Sequence, residues 1–339
     1  MLDAIRGVAV LQVVAWHIIT PLAQTHVPVI GAALNLTWTG VDLFFILSGY
    51  LLGGIVIRNR DSDNFYSAFY GRRVLRILPL YWLCLALYFL IVRPQDSIWP
   101  YLTFTQNFLW SAQNNFGPGF IAPTWSLAVE EQFYLVLPFL VRTVSPRKLP
   151  YVLVALIAAA PLCRIAAVLS GHPFAAYMLM PCRMDALFLG VLIAWATGAP
   201  QGQDFLLRHR TIVGALGAVT GCLLVVALVL KLDSLSAPMA TAGYTVVALF
   251  YGSIVSLCLR YRLPTALTPL AWAGLGAYSL YLFHTPFQLE GYALFGPHPV
   301  ALAFMVAGLA VTALLCWKIV EAPLIAFGHA RFSYIRKPS

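Results

Sequence analysis

The sequence predicts an all-α, polytopic membrane protein: a bundle of about ten transmembrane helices with both termini cytoplasmic. Three observations carry that prediction. Of 339 residues, 61% are hydrophobic and only 10% charged, with a mean hydropathy of +0.83, whereas a soluble domain carries about 25% charged residues. Apolar runs near twenty residues long, the length that crosses a bilayer, recur along the whole chain. If the first run starts inside, fifteen of the 21 Lys and Arg residues fall in cytoplasmic loops or the C-terminal tail, and only Arg93 and Lys231 fall outside. That bias accounts for the net charge of +9 without nucleic acid.

The first run, 2–20, has almost no basic flank, because Asp3 offsets Arg6. It therefore reads as a spanning helix and not a signal peptide. The abrupt start at Met1-Leu2-Asp3 is compatible with a few residues missing upstream. Arg6 and His17 are eleven residues apart. At 100° per residue they share one face, roughly 16 Å apart along the axis. A cation and an imidazole are costly to hold in such a helix, which points to chemistry inside the bilayer.

The second run, 36–57, carries Asp42 in its outer half. The following loop and the start of the third run, 75–92, hold Arg58, Arg60, Arg72, Arg73 and Arg76. Inside-positive topology with anionic lipid contact explains such a cluster on one reading. A phosphate clamp explains it on another, since guanidinium forks grip phosphate oxygens bidentately. Arg73 and Arg76 are three apart and share a face. Residues 99–111 are aromatic but too short to span, and read as a re-entrant or interfacial piece.

Glu130 and Glu131 interrupt the fourth run, 123–141, and Arg164 the fifth, 150–169. The sixth, 176–197, contains Arg183 and Asp185. The runs 211–230 and 237–259 are apolar, 268–290 carries His284 in its outer half, and 300–322 contains Lys318. Non-spanning stretches are loop-sized, so one transmembrane domain over 1–325 precedes a basic cytoplasmic tail, 326–339. Six cysteines are scattered singly without metal-ligand spacing and read as buried thiols; no metal is expected. Structural ion pairs could account for some intramembrane charges: Arg6 with a carboxylate, Arg183 with Glu130 or Asp185, His284 as a satisfied donor. The whole set fits an aqueous cavity better.

Several stretches resemble the integral-membrane acyltransferase family 3, which modifies cell-envelope polysaccharides. Leu2-Asp3-Ala4-Ile5-Arg6-Gly7 followed by His17 resembles its first-helix signature. Gly40-Val41-Asp42-Leu43-Phe44-Phe45-Ile46-Leu47-Ser48-Gly49 is similar to its second motif, and Phe69-Tyr70-Gly71-Arg72-Arg73-Val74-Leu75-Arg76 to its arginine-rich third. Trp125-Ser126-Leu127-Ala128-Val129-Glu130 resembles the fourth; Arg183-Met184-Asp185-Ala186, the His284 segment and Glu321-Ala322-Pro323 resemble weaker later features.

The resemblance implies a bacterial inner-membrane enzyme that takes an acyl group from cytoplasmic acyl-CoA, most often acetyl-CoA. The acceptor would be a hydroxyl of an extracytoplasmic or lipid-linked carbohydrate. On this reading Arg6, Arg72, Arg73 and Arg76 hold the CoA phosphates. His17 is the general base, since histidine is largely neutral at pH 7. Asp42 or Glu130 would orient it, a choice the sequence leaves open. Some family members carry a C-terminal periplasmic hydrolase-like domain; here a separate periplasmic acyl-handling protein is the expected partner, besides membrane lipids. The rival reading is a secondary transporter for a lipid-linked sugar or a proton-coupled solute, against which no inverted repeat is evident.

Overall fold

The computed structural model describes residues 1–198, 208–259, 261 and 263–335. Among these, all regular structure is helical and no strand occurs. Ten long helical segments follow one another among the described residues: α1 (Leu2–His26), α2 (Pro28–Arg58), α3 (Phe65–Ile91), α4 (Thr124–Thr143), α5 (Leu149–Leu169), α6 (Pro173–Gly198), α7 (Arg210–Val229), α8 (Met239–Cys258), α9 (Thr265–Leu275 and Ala277–Phe295) and α10 (Pro299–Arg331). Eight are long and apolar enough to cross a membrane, and α9 makes nine although its halves bend by 68° at Gly276. The tenth, α4, is long enough, but Glu130, Glu131 and Gln132 lower its hydropathy. Each of the ten predicted runs falls on one of these segments, eight to nine of which qualify as spans. Residues 99–111 form two short helices, Trp99–Leu102 and Gln106–Ala112, with Tyr101, Gln106, Asn107 and Trp110 buried. Arg260, Arg262, Arg336 and Lys337, counted in the charge pattern, lie outside the described residues.

The bundle is built around α2 and α6, which bury 67% and 72% of their apolar windows against 17% for α5 and α7. Gly49 and Gly190 explain how α2 and α6 pack so closely. A methyl on Gly49 would strike the Leu187 carbonyl, and one on Gly190 the Ile46 carbonyl. Small residues at a crossing let helix backbones touch, the main route to tight packing where lipid offers no hydrophobic drive. Gly7 on α1 meets the first half of α9 at Leu270 in the same way.

Two fully buried ion pairs hold this centre. Arg183 of α6 donates to Asp42 of α2 at 2.5 Å, with both side chains 1% exposed. Arg164 of α5 donates to Asp185 of α6 at 2.9 Å, and Thr245 of α8 donates to the same carboxylate at 2.7 Å. Arg183 therefore pairs with neither Glu130 nor Asp185, the partners the sequence offered. Arg183 faces α2, whereas Asp185 faces α5 and takes Arg164. Losing one member of such a pair strands a charge in a low dielectric.

The last helix runs through residue 325 to Arg331, without a break where a tail was expected. The segment after it docks on α3: Ser333 O accepts from Asn64 Nδ2 at 2.7 Å, and Ile335 N donates to Asn64 Oδ1 at 2.8 Å. Both ends of the described chain therefore lie on the arginine-rich side of the bundle.

Candidate active site

A cavity of about 440 Å³ opens between α1, α2, α3, α4, α9 and α10. Its charged lining comprises Arg6, Arg73, Arg76, Asp3, Glu130 and His329. Helix α3 begins at Phe65, about ten residues before the predicted start, so the arginine motif is helical and its side chains are fanned by the helical period. Relative to Arg72, Arg76 is turned by about 40° and Arg73 by about 100°. Arg76 and Arg73 line the cavity. Arg72 turns the other way: its Nε donates to Phe332 O at 2.8 Å, and its guanidinium lies 4.9 Å from the Tyr334 ring centre. Arg6 pairs with Asp3 at 3.5 Å, a carboxylate half exposed to solvent, and neither Arg73 nor Arg76 forms a salt bridge with a described residue. The three arginines outnumber the two carboxylates of the lining, Asp3 and Glu130, an arrangement that suits an anionic ligand.

Polar groups continue inward. The Ser48 hydroxyl donates a short hydrogen bond to Glu130, and Tyr134 Oη lies 3.4 Å from the same hydroxyl. Deeper still, the Ser126 and Tyr281 hydroxyls lie 2.5 Å apart, and Tyr281 donates to Pro123 O at 2.9 Å. The Tyr281 ring closes this end. Its centre is 5.8 Å from that of Phe44 on one side and 5.7 Å from that of His284 on the other.

Behind Tyr281 stands a pair of histidines. His17 is half-buried in a π-helical turn, Ala15–Ile19, within α1, and His284 on α9 is fully buried. Their rings are 4.7 Å apart between centres, with His284 Nε2 3.2 Å from His17 Nδ1. His17 Nδ1 is also 3.0 Å from Val13 O, and His284 Nδ1 is 2.6 Å from Tyr281 O. The sequence explains the π-turn. In a regular α-helix the carbonyl of His17 would accept from the N–H of residue 21, which is Pro21 and has none. The helix widens, Thr20 N bonds to Ala15 O five residues back, and Gln288 Nε2 donates to the freed His17 carbonyl at 2.6 Å. π-Turns of this kind occur frequently at functional sites.

The structure thus brings Arg6, Arg73, Arg76 and Glu130 to one cavity and sets His17 beyond its inner wall. It separates the rest: Arg72 is engaged with the segment after α10, and Asp42 with Arg183. Neither Asp42 nor Glu130 bonds to His17; the group beside His17 is His284. The sequence had put His284 in the outer half of its helix and His17 about 16 Å along the axis from Arg6, a signal that the two could meet. Pro21 four residues after His17 was a second signal, for the π-turn. Ser48 and Ser126 lay inside the motif stretches without a role of their own, and Tyr134, Tyr281 and Gln288 carried no comparable signal, being ordinary polar residues in apolar helices.

Comparison with known proteins identifies the family. The model of a family described as an acyltransferase domain matches residues 1–321. Among curated proteins, the chain is 26% identical to O-acetyltransferase OatA of Staphylococcus aureus (strain NCTC 8325 / PS 47), over 99% of this chain and 58% of that protein. It is 27% identical to the putative peptidoglycan O-acetyltransferase YrhL of Bacillus subtilis, over 98% of this chain and 56% of the relative. It is 24% identical to peptidoglycan O-acetyltransferase OatA of Listeria monocytogenes, with the same coverage. The chain thus spans less than three-fifths of the length of these relatives. No solved structure matches it. With a family match running over nearly the whole chain, from the Arg6–His17 helix to Glu321, the protein belongs to the acyltransferase family its motifs resemble.

Proposed function

We propose that this chain is an O-acyltransferase of the bacterial inner membrane. It takes an acyl group, acetyl in the first instance, from cytoplasmic acyl-CoA and delivers it to a hydroxyl of a cell-envelope carbohydrate. Peptidoglycan is the acceptor named for two of its relatives and the first to test. The observation that carries the reading is the cavity, which is lined by three arginines and by Tyr281, whose ring packs on His284 of the histidine pair.

Arg6, Arg73 and Arg76 grip the phosphates, and the thin thiol arm of the donor runs inward past Ser48 and Glu130. The thioester reaches His17 when the Tyr281 ring swings aside. His17 takes the proton of the acceptor hydroxyl as its oxygen attacks the thioester carbonyl. The C–O bond forms, the C–S bond breaks, and the imidazolium returns the proton to the departing thiolate.

Membranes containing the chain are expected to move label from [14C]acetyl-CoA to envelope glycan. The variant His17→Ala should lower turnover by about 100-fold or more; near-wild-type turnover at equal expression would sink the assignment. Purified chain in vesicles that retains bound label without modifying glycan would point to a separate periplasmic acyl-handling protein as the direct acceptor.

A further inference from the structure

His284 is buried more completely than any other ionisable group near His17, yet the chemistry above gives it no role. We propose that His284 is the positioning partner of His17, occupying the place a carboxylate takes in a catalytic triad, and that two main-chain carbonyls set the direction of the pair. This deepens the acyl-transfer reading and rests on it.

Donors and acceptors can be assigned from the neighbours alone. A carbonyl oxygen only accepts, so the 2.6 Å contact from Tyr281 O requires the proton of His284 on Nδ1. A neutral His284 ring then carries its lone pair on Nε2, the atom 3.2 Å from His17 Nδ1. Val13 O, 3.0 Å from His17 Nδ1, independently requires a proton there. His17 Nδ1–H is thus shared between Val13 O and His284 Nε2, and His17 Nε2 holds the lone pair that takes the acceptor proton. When it does, the imidazolium keeps its Nδ1–H on two acceptors and cannot rotate away. Gln288, bonded to the His17 carbonyl, fixes the backbone beneath the ring. A neutral imidazole orients the base here without adding a second buried charge beside a half-buried one.

The test combines variants with a tautomer measurement. In wild-type protein in lipid, 15N-histidine NMR should read both His17 and His284 as Nδ1–H, Nε2-unprotonated rings; an Nε2–H form of either ring in the neutral pair would overturn the proposal. His284→Ala should lower turnover by about 100-fold with the KM for acyl-CoA within about twofold. His284→Gln sets an amide oxygen near the position of Nε2, preserves an acceptor for His17, and should recover turnover to within about tenfold of wild type. Wild-type turnover in His284→Ala, or equal loss in both variants, would overturn it. Absence of acetyl transfer by the wild type would instead sink the functional reading, and the NMR result would still decide the pairing.

Discussion

At the scale of single residues, the arginines separate into different tasks although the sequence sets them side by side. Arg73 and Arg76 face the cavity without a direct salt bridge to a described residue, so Arg73→Ala or Arg76→Ala should raise the KM for acyl-CoA about tenfold or more, as expected for losing a charge-assisted bond to phosphate. Arg72→Ala should leave that KM within about twofold and instead loosen the segment after α10, read as faster proteolysis near Phe332. Equal KM effects for Arg72 and Arg73 would contradict the fan of side chains on α3. The pair Asp42–Arg183 belongs to stability. Arg183→Ala should cost on the order of 3–5 kcal/mol, because it leaves Asp42 charged and buried, while a combined apolar replacement of both should cost less. Thermal unfolding in detergent measures both. The motif residue Asp42 was legible as important from its depth. Its task was not, because depth says nothing about which neighbouring helix a side chain faces.

At the scale of elements, local chemistry shapes the site in α1. Pro21 strips the His17 carbonyl of its helical donor, and the resulting π-turn sets the imidazole against α9. Pro21→Ala restores the missing N–H and favours a regular helix. It should therefore lower turnover roughly 10- to 100-fold through misplacement of His17, with no loss of thermal stability. Reduced turnover together with reduced stability would count against this account. The eleven-residue spacing of Arg6 and His17 was readable because helical periodicity is local. The close passage of α2 on α6 was half readable: Gly49 and Gly190 are visible in the sequence, but only the crossing tells which backbone each must admit. Gly49→Leu should block it and abolish accumulation of folded protein, seen as loss of a monodisperse peak in detergent.

At the scale of the whole molecule, ten long helical segments bring the first and last helices to one side, where both contribute to the arginine-lined cavity through Arg6 and His329. The loop charge bias predicts that this side is cytoplasmic. In a cysteine-free background, Ser145→Cys should therefore react with an impermeant maleimide in inverted vesicles only, and Asn114→Cys in right-side-out vesicles only; the reverse pattern would invert the donor path. The all-helical, multi-span architecture and the order of its long helices followed from the sequence by itself, although eight to nine of the ten expected runs are long and apolar enough to cross a membrane. Apolar length, helical period and loop charge are properties of short stretches, and the bilayer admits few structures that satisfy them. The tertiary structure alone decided the partners: Asp42 to Arg183, Arg72 to the segment after α10, and His17 to His284 across 267 residues of chain. A side chain's partner depends on how far each helix is rotated about its axis, and that rotation is settled by packing among all ten helices at once, which no single stretch encodes.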